Sequence, residues 1–165
     1  MVNIHDAQRV GVFVDVQNMY YSAKNIHSGR VDFQKLLDSA VMNRKLIRAL
    51  AYVVKADTPD EENFFDALRR IGYEVKMKDL KEFYGGKKKA DWDVGMSVDM
   101  IQQAKKLDTV VLVTGDGDFA VLVSHLKSMG CRVEVMSFQK SSVQELRDVA
   151  DNFIDMDENA NKFLV

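Results

Sequence analysis

Short apolar runs rich in β-branched residues recur along the chain, and amphipathic segments separate them. RVGVFVD (Arg9 to Asp15), IRALAYVV (Ile47 to Val54), YEVKMKD (Tyr73 to Asp79), TVVLVT (Thr109 to Thr114) and CRVEVMS (Cys131 to Ser137) predict strands. Between them, FQKLLDSAVM sets Phe33, Leu36, Leu37, Ala40 and Val41 along one stripe of a helix. TPDEENFFDALRRIG carries helix punctuation, with Thr58 at the cap, Pro59 at the first position, acids in the first turn and Gly72 at the stop. DWDVGMSVDMIQQAKKL, FAVLVSHLKSMG and SSVQELRDVAD complete the helical pattern.

Alternating strands and helices predict βαβ units and a parallel sheet. The first and fourth strands are almost wholly apolar, as strands are when helices cover both faces. The expected fold is therefore a three-layer α/β/α, Rossmann-like domain with a mostly parallel sheet of about five strands. No linker, repeat or low-complexity tract divides residues 1–165, so a single domain is expected. One insertion stands out: EFYGGKKKAD, Glu82 to Asp91, with paired glycines and three consecutive lysines.

In a doubly wound sheet the strand order reverses beside the first strand, and ligands bind beyond the carboxyl ends at that point. Asp15 ends the first strand, and Asp116 and Asp118 follow the fourth, so the fold would gather all three at the crevice. Asp93 lies near the start of the helix after the third strand and points to the same place. Asp99 is roughly 9 Å further along that helix, which makes it a supporting acid or a bond to a neighbouring loop. Asp93, Asp116 and Asp118 each have a plainer reading alone, because Asp is a preferred N-cap and acids suit a helix N-terminus, whereas Asp15, an acid ending an apolar strand, has poor local rewards. Their convergence is what points to chemistry.

The wider composition narrows that chemistry. A net charge of -2 gives no overall basic signature, so contact with nucleic acid would rest on a local patch. Lys87, Lys88 and Lys89 could follow a phosphate backbone, and Phe83, Tyr84 and Trp92 flank them, although Trp92 also suits core packing. The glycine–lysine run lacks P-loop spacing. His5, His27 and His125 show no ligand spacing, so an all-oxygen acidic set selects Mg²⁺ or Mn²⁺ over zinc. Cys131 is the single cysteine, which fits a reducing compartment and a buried filler. With no apolar run of spanning length and no basic-then-apolar leader, no membrane contact and a cytoplasmic location are expected.

Three motifs resemble one family. GVFVDVQNMYYSA is similar to the opening of NYN-domain proteins in the LabA-like branch of the PIN-like nuclease superfamily, with Asp15 and Asn18 in the matching positions. KADWDVGMSVDM resembles their K-x-x-D-V-x-L-x-x-D helix through Asp93 and Asp99, with Met96 in the Leu position. VLVTGDGDFAVLV resembles their [ST]-G-D-x-D-F signature through Asp116, Asp118 and Phe119. Trp92, bulkier than the residue common there, and the extra Asp91 depart from the pattern. The resemblance implies a metal-dependent ribonuclease in which Asp15, Asp93, Asp116 and Asp118 hold Mg²⁺ or Mn²⁺. It also implies that Asn18 orients a ligand or substrate and that Asp99 supports the set.

The expected partner is RNA, single-stranded in preference, and exposed apolar positions on outer helices leave room for a homodimer. A haloacid-dehalogenase-type phosphatase would need an acid two residues after Asp15, where Gln17 stands. A phosphoacceptor receiver would need an acidic pair near Asp79, and there is none. The remaining alternative is a non-catalytic PIN-like module that binds RNA or protein in a regulatory role.

Overall fold

A computed structural model describes residues 5–83, 87–89 and 91–165, with residues 81–83 and 87–89 described by backbone alone. In chain order the elements are β1 (Arg9–Asp15), α1 (Val16–His27), α2 (Phe33–Val41), β2 (Lys45–Lys55), α3 (Glu61–Ile71) and β3 (Glu74–Asp79). A small hairpin of β4 (Lys81–Phe83) and β5 (Lys87–Lys89) follows, then α4 (Asp93–Ala104), β6 (Thr109–Val113) and α5 (Ala120–Ser128). β7 (Arg132–Ser137), α6 (Gln144–Val149) and β8 (Asn152–Asp155) close the described order.

The main sheet has six strands in the order β3-β2-β1-β6-β7-β8, and each of its pairings is parallel. The order reverses between β1 and β6, where Val10 to Val14 run alongside Thr109 to Val113. Side-chain alternation splits the core in two. Val12, Val14, Ala49, Ala51, Val111 and Val113 face α1, α2 and α3, whereas Phe13, Leu50, Tyr52, Val110 and Leu112 face α4, α5 and α6. This is the expected three-layer arrangement.

Several boundaries differ from the sequence reading, each for a local reason. The sixth strand, β8, is only four residues long and half-buried throughout, too short to register as an apolar run. α1 begins directly after β1 because Asp15 ends the strand and caps the helix at once. α3 begins at Glu61, not beside Pro59, because the Glu61 carboxylate accepts from the Ala56 and Asp57 N–H groups and holds the preceding turn. Cys131 is buried, with its thiol donating to the Ala104 carbonyl at 3.3 Å, as a filler would be.

Candidate metal centre

The turn from β1 into α1 and the exit from β6 are tied together by short polar side chains. One oxygen of Asp15 accepts from the Asn18 N–H at 3.2 Å, and the other accepts from the Thr114 hydroxyl at 3.1 Å. The Asn18 side-chain oxygen accepts from the Gly115 N–H at 2.9 Å. Gly115 is required by close approach, since a Cβ there would lie 2.8 Å from the Ser141 carbonyl oxygen and 2.9 Å from Ser137 Oγ. Asp116 comes next. Its carboxylate accepts from the Asp118 N–H at 2.9 Å and caps the short 3₁₀ turn Gly117–Phe119.

The opposite wall is the start of α4. Trp92 anchors it by donating its indole N–H to the Val53 carbonyl at 2.8 Å, with its ring edge-on to Tyr52 at 5.2 Å. Lys78 Nζ sits 4.7 Å from the centre of the Trp92 ring. Gly95 packs beneath that ring so closely that a Cβ would stand 2.6 Å from it. Asp93, the first residue of α4, takes its N–H to an oxygen of Asp91 at 3.3 Å. Asp99 faces elsewhere: its carboxylate accepts from the Tyr52 hydroxyl at 2.8 Å and from Lys76 Nζ at 2.7 Å, tying α4 to β2 and β3.

Asp93, Asp116 and Asp118 each present an oxygen within 4.8 Å of the other two. Asp15 lines the same cleft beside them, together with Asn18, Tyr21, Asn25, Trp92 and Ser141, around a volume of about 570 Å³. The electrostatic result is frustration. Burial pushes the Asp15 carboxyl up and the charges of Asp116 and Asp91 add to this, against the two hydrogen bonds that hold it down. The Asp93 carboxyl is pushed up to about 6, first by burial, then by the charges of Asp116, Asp91 and Asp15 and by a hydrogen bond with Asp116. Such a crowd of hard oxygen donors, without histidine or cysteine, fits a divalent cation, whose charge would reverse both shifts.

The structure thus brings together the four acids named from the sequence, three as a group and Asp15 on its border, while Asp99 stands apart. Asn18 sits between the two strand ends. Lys87, Lys88 and Lys89 form a strand paired antiparallel with Lys81–Phe83; their side chains, and Tyr84, lie outside what is described. Ser22, Ser141 and Asn25 line the cleft without any signal in the sequence, since nothing in a lone polar residue tells which element will carry it there. Thr114 was legible only as the first residue of TGDGDF.

Comparison with known proteins decides the family. The NYN domain model matches residues 9–157. The chain belongs to the NYN-domain family. NYN domains form part of the PIN-like nuclease superfamily, so a nuclease-type acidic centre is in keeping with the cluster seen here. One relative is the low amplitude and bright protein LabA of Synechococcus elongatus, 31% identical over 159 residues that cover 91% of this chain and 84% of LabA. A crystal structure of a protein of unknown function from Vibrio parahaemolyticus superposes with a TM-score of 0.89 at 32% identity, covering 99% of this chain and 100% of that one. Among the described residues, no helix is long and apolar enough to cross a membrane.

Proposed function

We propose that this NYN domain is a metal-dependent ribonuclease that hydrolyses RNA phosphodiester bonds in the cleft between β1 and β6. The observation that carries the reading is the gathering of Asp93, Asp116 and Asp118 within 4.8 Å at the switch point of the sheet, with Asp15 alongside. Asp93, Asp116 and Asp118 would hold Mg²⁺ or Mn²⁺, and Asp15 would complete the set. When bound, such an ion lowers the pKa of water and offsets charge building on phosphate oxygens.

The remaining roles belong to the chain itself. Thr114 and the Asn18 N–H fix the Asp15 carboxylate, so its oxygens keep one orientation. Asn18 locks the β6 exit to α1 through Gly115 and so sets the spacing between the strand ends. Trp92 and Asp99 fix α4 against the sheet, which places Asp93 across the cleft from Asp116. No side chain is assigned as a covalent nucleophile.

One observation favours the non-catalytic alternative in part: Asp15 and Asp116 also serve as N-caps, a role that a binding module would keep. Cleavage separates the two readings. With single-stranded RNA and Mn²⁺ or Mg²⁺, the wild type should cut, and both chelation and Asp116→Asn should abolish cutting. RNA bound but never cut, across varied sequences and both metals, would leave the binding module.

A further inference from the structure

The outward face of α1 leads away from the acidic cleft and carries side chains that the fold does not use. Tyr20 and Tyr21 are about half exposed, an unusual state for two adjacent aromatic rings, and they meet edge-to-face at 5.3 Å. Tyr21 lines the cleft, whereas Tyr20 lines a second hollow with Lys24, Ser28 and Arg30. Asn25 lines both, so the two depressions are neighbours along the helix. Lys24 Nζ stands 6.0 Å from the centre of the Tyr20 ring. Among the described residues neither Lys24 nor Arg30 has a carboxylate partner.

We infer that this face of α1 is a track for single-stranded RNA leaving the cleft, with bases stacked on Tyr21 and Tyr20 and phosphates met by Lys24 and Arg30. Exposed tyrosines beside unpaired cations match a single strand: bases stack on aromatic faces whatever their identity, and the cations follow the backbone. A duplex hides its base faces and could not use them. The arrangement also answers an electrostatic problem. The acidic cluster repels a polyanion, so affinity for the strand must come from cations set beside it, and Lys24 and Arg30 stand in the adjoining hollow. The identity of the ligand rests on the ribonuclease reading; the track itself rests on the tyrosines, the cations and the two hollows that adjoin at Asn25.

The test compares the wild type with Tyr20→Ala/Tyr21→Ala and Lys24→Ala/Arg30→Ala. All four side chains are exposed, so folding should survive. Binding of a fluorescein-labelled single-stranded 15-nucleotide RNA is followed by anisotropy over a salt series. In parallel, metal-dependent cleavage is measured on that RNA and on bis(p-nitrophenyl) phosphate, which is too small to span from the cleft to Lys24 and Arg30. The tyrosine pair should weaken RNA binding about tenfold or more. The cation pair should lower the dependence of log K on log salt by about 1.4, about 0.7 for each phosphate contact removed. Cleavage of the small diester should be unchanged in Lys24→Ala/Arg30→Ala, whose residues line the second hollow and not the acidic cleft, and Tyr20→Phe/Tyr21→Phe should restore most of the RNA affinity.

Unchanged RNA affinity and cleavage in both variants would overturn the track and leave the ribonuclease standing. Binding lost in the variants, with no cleavage of either substrate by the wild type, would support the track and overturn hydrolysis. A wild type that is dimeric in sedimentation, with the dimer lost in the tyrosine variant and no RNA bound, would overturn the track and make this face a subunit interface.

Discussion

The two ends of the sheet handle buried charge in opposite ways. Toward its amino end, Arg44 and Glu134 are fully buried and joined by two hydrogen bonds of 2.8 and 3.0 Å. Arg44 also donates to the Ala40 and Val41 carbonyls and to Gln8, while Arg132 donates to Glu134. Both arginines there reach the one buried carboxylate, although Arg132 Nη2 is buried without a partner. At the carboxyl end the fold gathers Asp15, Asp93, Asp116 and Asp118 around one cleft, and burial together with mutual repulsion raises the Asp15 and Asp93 carboxyls. The buried carboxylate at one end has two guanidiniums on it, whereas the four acids at the other have no cation paired with them among the described residues. That contrast sets a structural ion pair apart from a candidate cation site in the same molecule.

The contrast can be broken most forcefully at the paired end. Arg44→Met takes two hydrogen bonds from the buried Glu134 carboxylate and leaves Arg132 as its cationic partner, and should cost about 3 kcal/mol in denaturant unfolding. A loss below about 1 kcal/mol would show that the pair is not a structural clasp. Next in size is Gly115→Ala, which drives a methyl group into the Ser141 carbonyl and should cost about 1–3 kcal/mol by the same measurement. It should also loosen the Asn18 contact, so metal affinity should fall with stability.

At the unbalanced end the sign reverses. Asp93 has a folded-state value of about 6, above its unfolded value near 3.9. The native state therefore takes up a proton more readily than the unfolded chain between those values, and metal-free protein should gain stability as pH falls from 7 through 6 toward 4. Asp93→Asn should flatten this part of the profile and raise Tm at pH 7. A profile unchanged by the substitution would contradict the frustrated cluster. The smallest effect belongs to an exposed ion pair. Arg48→Gln breaks the bidentate contact with Glu74 at 2.8 Å but should cost under about 1 kcal/mol, because solvent screens it.

The same contrast explains what was legible in the sequence. The carboxyl end could be read because its chemistry follows from topology: acids at the ends of apolar strands must meet wherever the strand order reverses. TGDGDF supplied Asp116 and Asp118, and VFVD supplied Asp15. The amino end could not be read. In CRVEVMS, Glu134 looks like a residue on a solvent-facing strand surface, and only the short β8 on its far side, paired through Asn152, makes β7 an interior strand. Its partner Arg44 lies ninety positions away in sequence and has no motif. α1 was hidden in a similar manner, since no loop separates it from β1, and so the tyrosine face beside the cleft was not visible as a helix surface. Asp99 shows the limit of motif reading: its place in the family pattern was plain, whereas its bonds to Tyr52 and Lys76 depend on which strands α4 covers.

The most direct test of the central claim is the thermal stability of the wild type and Asp116→Asn, each with chelator and with saturating Mn²⁺. The asparagine can still accept the Asp118 N–H and keep the cap, so the substitution removes charge and little else. A cation site predicts that Mn²⁺ raises the wild-type Tm, by about 2.7 kcal/mol of added stability at a hundredfold excess over Kd. It predicts that Asp116→Asn is at least as stable as the wild type without metal and responds far less to it. A variant that is less stable under chelation, beside a wild type indifferent to Mn²⁺, would mean that the acids serve only as caps.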